Sequence, residues 1–65
     1  MKPTCKLIGQ NGNVFNLIAI TRKTLKNHGL QQEIDRFDQR FYEIKENNGS
    51  YDDVLNLITE FVTVE

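Results

Sequence analysis

Cysteine, histidine, proline and methionine each occur once in this chain, and tryptophan does not occur at all. The lone Cys5 excludes an internal disulfide framework. Cys5 and His28 together are too small a soft-ligand set for a structural zinc site. Long apolar runs are missing as well. The longest, Leu17–Ile20, is far short of a membrane span. No apolar segment of signal-peptide type follows Lys2, so the expected compartment is the cytoplasm, with no membrane partner. Acid is absent from residues 1–30, which carry Lys2, Lys6, Arg22, Lys23 and Lys26, whereas residues 31–65 hold all nine acids against Arg36, Arg40 and Lys45. The net charge of −1 therefore hides a basic part and an acidic part. Either the basic part has an acidic partner, or the domain pairs its own basic helix with its own acidic helices.

With 65 residues the chain is one domain, 1–65. A chain of this size buries only about 60% of the surface its unfolded form exposes. Without disulfide or metal, compact helix packing or self-association must supply the stability.

Thr4–Ile8 is extended in character, with Pro3 suited to a strand edge. Alternation puts Cys5 and Leu7 on one side and Lys6 and Ile8 on the other. Gly9–Asn13 is a turn, in which Asn11-Gly12 is a hairpin signal and Gly12 is expected to supply positive φ. Two continuations compete: a second strand over Asn13–Ile20, or a helix from Val14 to about His28 capped by Asn13. Asn16 breaks the strand pattern. The helix gains from the Asn13 N-cap, from Gly29 and Leu30 as a C-terminal Schellman pair, and from Lys26 and His28 in the last turn. Val14, Ile18 and Leu25 share its apolar face, which Phe15 and Leu17 are expected to widen.

Gln31–Asn47 predicts a second helix, with Ile34, Phe37, Phe41 and Ile44 at three- and four-residue steps and Asn47-Asn48-Gly49 as its end. Ser50-Tyr51-Asp52-Asp53 is a capping pattern for a third helix reaching about Phe61, with Val54, Leu55, Ile58 and Phe61 or Val62 buried. The tail Phe61–Glu65 is β-branched and alternating, and its natural partner is Thr4–Ile8. The expected fold is α+β, mainly helical: three helices with a short two-strand ribbon formed by the N- and C-terminal segments.

Catalytic groups are sparse. His28 stands alone near a helix end, Cys5 is expected to be buried, Asp52 and Asp53 are explained by capping, and Asp35 and Asp38 lack a metal cluster. Neither an enzyme, nor a metal site, nor a cofactor is expected. The candidate binding residues are Arg22, Lys23 and Lys26 on one helix side, the amides of Gly12 and Asn13 at a helix start where an anion would be favoured, and Tyr42, which lies off the Phe37–Phe41 stripe and suits an interface.

Ile8, Gly9, Gly12, Phe15 and Ile18 resemble the I-G-x-x-G-x-x-I-x-x-I loop of KH domains, a likeness that would imply nucleic-acid backbone binding. The likeness is confined to this stretch. Gln10-Asn11 stand where that family commonly carries a basic residue, and only eight residues precede Gly9, where a KH fold needs a strand and a helix. A longer resemblance spans nearly the whole chain. Lys6–Phe15 (K-L-I-G-x-[DN]-G-N-x-F), the basic helix ending at Gly29, G-x-Y-D at Gly49–Asp52 and V-x-V-E at Val62–Glu65 are similar to a group of short uncharacterised proteins of phages and bacterial mobile elements. Ile20-Thr21 departs from that group, where a small residue follows the first apolar pair. The resemblance implies a phage or mobile-element origin and brings no catalytic residues. The expected function is a small non-enzymatic protein-interaction module acting on a host or phage protein, with inhibition of a host defence system as one form. The alternative is a nucleic-acid-binding module using Gly9–Asn13 and the basic helix face. Self-association is expected in addition.

Overall fold

The structure is a computed structural model that describes residues 2–65. It contains β1 (Thr4–Cys5), α1 (Val14–Asn27), α2 (Gln31–Glu46), α3 (Tyr51–Phe61) and β2 (Thr63–Val64). The expected class therefore holds: three helices and a ribbon made by the two ends of the chain. The ribbon is parallel, with Thr4 opposite Thr63 and Cys5 opposite Val64. β1 packs on α1, β2 packs on α3, and α2 closes the other side against both helices. The regular ladder is shorter than Thr4–Ile8. The amides of Leu7 and Ile8 nevertheless both donate to Glu65 O, at 2.8 and 3.0 Å, so the pairing is extended without strand geometry.

Each helix is delimited by local chemistry. Asn13 Oδ1 accepts from Phe15 N at 2.9 Å, which settles residues 14–20 as helix rather than a second strand. At the other end Gly29 adopts φ +70°, Leu30 N donates to Leu25 O and Gly29 N to Lys26 O, both at 3.0 Å. These are the two bonds of a Schellman turn. α2 ends by the same device with different residues. Asn48 takes the left-handed conformation (φ +55°), Asn48 N donates to Lys45 O and Gly49 N to Ile44 O. α3 starts with a complete capping box: Ser50 Oγ accepts from Asp53 N, and Asp53 Oδ2 accepts from Ser50 N. Such a serine cap contributes about 1 kcal/mol.

The core is formed by Cys5, Leu7, Leu17, Ile18, Leu25, Ile34, Phe37, Val54, Leu57, Ile58, Phe61 and Val62. Phe37 and Phe61 meet edge to face, 5.4 Å between centroids, at the α2–α3 contact. Two expectations about this core, and one about the loop before α1, need correction. Phe15 does not widen the buried face of α1. It is exposed, and buried Thr21 occupies the middle of that face, its hydroxyl donating to Leu17 O at 2.8 Å. A threonine is admitted because its one donor is spent within the helix. Leu57 is buried whereas Leu55 is only partly so, and Phe61 and Val62 are both buried, because the turn into β2 brings both onto the core.

The third correction concerns Gly12, which does not have positive φ; among the glycines of this loop only Gly9 does, at +90°. The tight turn lies earlier than Asn11-Gly12. It spans Leu7–Gln10, closed by Gln10 N donating to Leu7 O at 3.1 Å, with Gly9 at the position that requires a left-handed residue. The reason is tertiary: Leu7 and Ile8 are held to Glu65, so the chain must reverse directly after them. Gly12→Ala is accordingly expected to leave stability within about 0.5 kcal/mol of the parent, or slightly above it. An added Cβ would meet only Tyr51 Oη, at 3.7 Å. Urea denaturation followed by circular dichroism checks this. A loss as large as that of a core truncation would show that Gly12 is conformationally required.

Candidate functional site

The loop between β1 and α1 is organised by asparagines. Asn13 N donates to Asn11 Oδ1, Phe15 N to Asn13 Oδ1 and Asn16 Nδ2 to Asn11 O, each at 2.9 Å. The amide of Asn13 and that of Phe15 at the helix start are thus already satisfied by side chains, which narrows the room for an anion at Gly12 and Asn13. The carbonyl of Gly12 is taken too: Tyr51 Oη donates to it at 2.7 Å, tying the start of α3 to the loop across the sequence.

Tyr51 stands between two apolar depressions. One, of 340 Å³, lies between the Leu7–Gly12 loop with Val64 on one side and Tyr51, Leu55 and Thr59 of α3 on the other, with Leu17 and Ile58 also lining it. The second, of 260 Å³, is framed by Val14 and Phe15 of α1, Phe41, Ile44 and Lys45 of α2, and Tyr51 and Val54 of α3. Ile8 (71% exposed) borders the first, Phe15 (67%) the second, and Tyr51 (46%) both. Tyr42, 61% exposed, borders neither depression. Arg22 and Asp38 face each other across the α1–α2 seam at 3.2 Å. Through the shared Tyr51 the two depressions join into a band of exposed apolar and aromatic side chains, Ile8–Tyr51–Phe15. Lys45 Nζ sits 5.6 Å from the Phe41 ring centroid, a cation held against the aromatic wall.

The sequence-derived basic residues form a separate place. Arg22, Lys23 and Lys26 line a 380 Å³ depression with Gln31 and Ile34. Arg22 is already paired with Asp38, so part of the charge split is resolved within the domain; Lys23 and Lys26 make no ion pair among the described residues. The other inter-helix pair is Arg40–Glu60, two-pronged at 2.8 and 3.2 Å. There the hydrogen bond from the guanidinium to the Glu60 carboxylate, reinforced by its charge, holds the Arg40 pKa above its ordinary value. Such exposed pairs contribute little to stability. Cys5 is buried and free, with Thr24 Oγ1 3.3 Å from its sulfur. No group of His, Cys, Asp and Glu side chains among the described residues would hold a metal ion, and no described helix is long and apolar enough to cross a membrane.

Of the expected site residues, the structure brings Gly12 next to Tyr51, leaves Tyr42 exposed and outside both depressions, and groups Arg22, Lys23 and Lys26. It does not bring the two groups together. Sequence reasoning missed Ile8 and Phe15 as surface residues. The signal for Ile8 was its place opposite Cys5 and Leu7 in the strand alternation. Phe15 gave none, because an apolar residue one step off a helical stripe reads equally as the edge of the core. No family model, no curated protein and no solved structure matches the chain.

Proposed function

We propose that this chain is a small non-enzymatic protein-interaction module that engages its partner through the band around Tyr51. The observation that supports this reading is the exposure of Ile8, Tyr51 and Phe15 around two adjoining depressions of a domain otherwise able to bury most of its large apolar residues. Isolated surface hydrophobes are ordinary, but a contiguous set rimmed by polar groups marks an interaction face. Tyrosine and phenylalanine are also the residue types enriched at such faces. The whole-chain resemblance to phage and mobile-element proteins supports a mobile-element origin. On that reading the partner is a protein in the cytoplasm of a bacterial host, a component of host defence among them.

The second reading, nucleic-acid binding, is favoured by one observation, the unpaired Lys23 and Lys26 beside Arg22. It is weakened by the satisfied amides at Asn13 and Phe15 and by the acidic balance of the chain. Photo-crosslinking inside bacteria separates the two. A benzoylphenylalanine at position 15 is expected to yield a discrete protein adduct, lost in the Tyr51→Asp background, and one at position 23 to yield none. Adducts to nucleic acid from position 23, with nothing from position 15, would reverse the order of the two readings.

A further inference from the structure

We propose that the Tyr51 hydroxyl is a latch: its bond to Gly12 holds the ring across the crevice between α3 and the β1–α1 loop, and its release joins the two depressions into one groove. The inference rests on the reading of the band as a docking face and concerns how that face is regulated. Position supports it. Tyr51 is the one residue that lines both depressions. Its Oη reaches Gly12 O at 2.7 Å, immediately before the Asn13 cap of α1. Ile8 and Gln10 lie along the first depression, Val14 and Phe15 along the second, so the ring spans the crevice between them.

The parts on either side of the latch do not depend on it. The loop is fastened to itself and to the first turn of α1 by Asn11, Asn13 and Asn16, and to the far end of the chain by Leu7 N and Ile8 N on Glu65 O. The start of α3 is fixed by the Ser50–Asp53 box. Among the described residues, Tyr51–Gly12 is the only hydrogen bond between residues 9–13 and α3. Packing does not lock it either. No side chain from Ile8 to Asn13 is buried, and Tyr51 itself is half exposed. Beyond its chain neighbours, a Cβ on Gly12 would meet nothing within 4 Å but Tyr51 Oη. A single hydrogen bond of this kind favours the closed state only about two- to tenfold, and local opening belongs to the least buried parts of a fold. Tyr51 is the first residue of α3, so its ring can change rotamer without loss of a helical bond. The closed state offers a partner two short notches. The open state offers one groove floored by Leu17, Val54 and Ile58, and a partner that spans it binds with an affinity lowered by the closed fraction.

NMR and dye binding on the full chain test this, with anilinonaphthalene sulfonate as the apolar probe. In the unmodified protein the χ1 couplings of Tyr51 are expected to report two rotamers, the minor one at roughly 10–30%. Saturating dye is expected to make the minor rotamer the main one and to abolish the nuclear Overhauser contact between the Tyr51 ring and Gly12. Tyr51→Phe keeps the ring and removes the donor, and is expected to bind the dye roughly two- to fivefold more tightly. Tyr42→Phe, the same change outside both depressions, is expected to leave dye binding unaltered. A Tyr51 rotamer that the dye does not move overturns the proposal, as does a dye affinity unchanged in Tyr51→Phe or raised equally in Tyr42→Phe. Unfolding of Tyr51→Phe also overturns it, because the bond would then be a structural tie. A protein adduct from position 15 in cells together with a fixed Tyr51 would remove the latch and leave the interaction module standing; a moving Tyr51 with no adduct would do the reverse.

Discussion

Phe37→Ala is expected to leave the domain largely unfolded at physiological temperature. Phe37 is the largest fully buried side chain and stands at the middle of α2, between the Ile34 turn and the Phe41 turn. Its ring meets Phe61 edge to face, and Phe61 lies where α3 gives way to the chain that enters β2. Removing the ring therefore loosens the α2–α3 contact and the support of the ribbon together. Truncating a buried phenylalanine costs about 3–5 kcal/mol. A domain of this length has a total stability of roughly 3–10 kcal/mol, so the loss is comparable to the whole. Thermal unfolding followed by circular dichroism measures it, with Phe41→Ala as the comparison. Phe41 is only partly buried, so its truncation should cost clearly less. Equal losses at the two positions would mean that the core is not centred on Phe37.

Gly49→Ala is expected to lower the unfolding temperature by roughly 10 °C or more, the equivalent of an overpacking cost of about 1–3 kcal/mol in a small domain. The cause is space, not backbone conformation, since Gly49 does not have positive φ. A Cβ at this position would overlap Ile44 Cγ2 and press on Ile44 O at 3.0 Å and Asp53 Oδ2 at 3.2 Å. None of the three can retreat easily. Ile44 is β-branched and packed against the core, its carbonyl holds the last bond of α2 from Gly49 N, and Asp53 is committed to the capping box of α3. One methyl group thus strains the end of one helix and the start of the next. Asn48→Gly, one residue earlier, is expected to be neutral or mildly stabilising, because there the requirement is conformational and glycine meets it. Chemical denaturation of the two variants separates the causes. If Gly49→Ala proved harmless while Asn48→Gly destabilised, the roles assigned to these neighbours would be interchanged.

The contrast between Gly12 and Gly49 shows where the sequence could be read and where it could not. Helix limits were legible because caps act over three or four residues: Asn13 reaches Phe15, Ser50 and Asp53 reach one another, and Gly29 with Leu30 returns to Lys26 and Leu25. The partnership of the chain ends was legible from alternation and β-branching. Which glycine bends the β1–α1 loop was not, because the turn is placed by two hydrogen bonds from Leu7 and Ile8 to Glu65, at the far end of the chain. The candidate site divides in the same way. Arg22, Lys23 and Lys26 could be grouped from helical spacing alone, but the Arg22–Asp38 pair, which removes part of that patch, depends on how α1 lies against α2.

By itself, then, the sequence determined the elements of this protein: three capped helices, two short end strands, a single cysteine that allows no internal disulfide, and a basic helix followed by acidic ones. These follow from short-range hydrogen bonding and periodicity, which the order of residues contains. Only the tertiary structure decided that Phe15 lies outside and Leu57 inside, that Gly9 rather than Gly12 makes the turn, and that Ile8, Tyr51 and Phe15 border adjoining depressions. The reason is geometric. Which side of a helical stripe becomes core depends on the angle at which another helix crosses it, and exposed residues from two helices and a loop become one surface only after those angles are set.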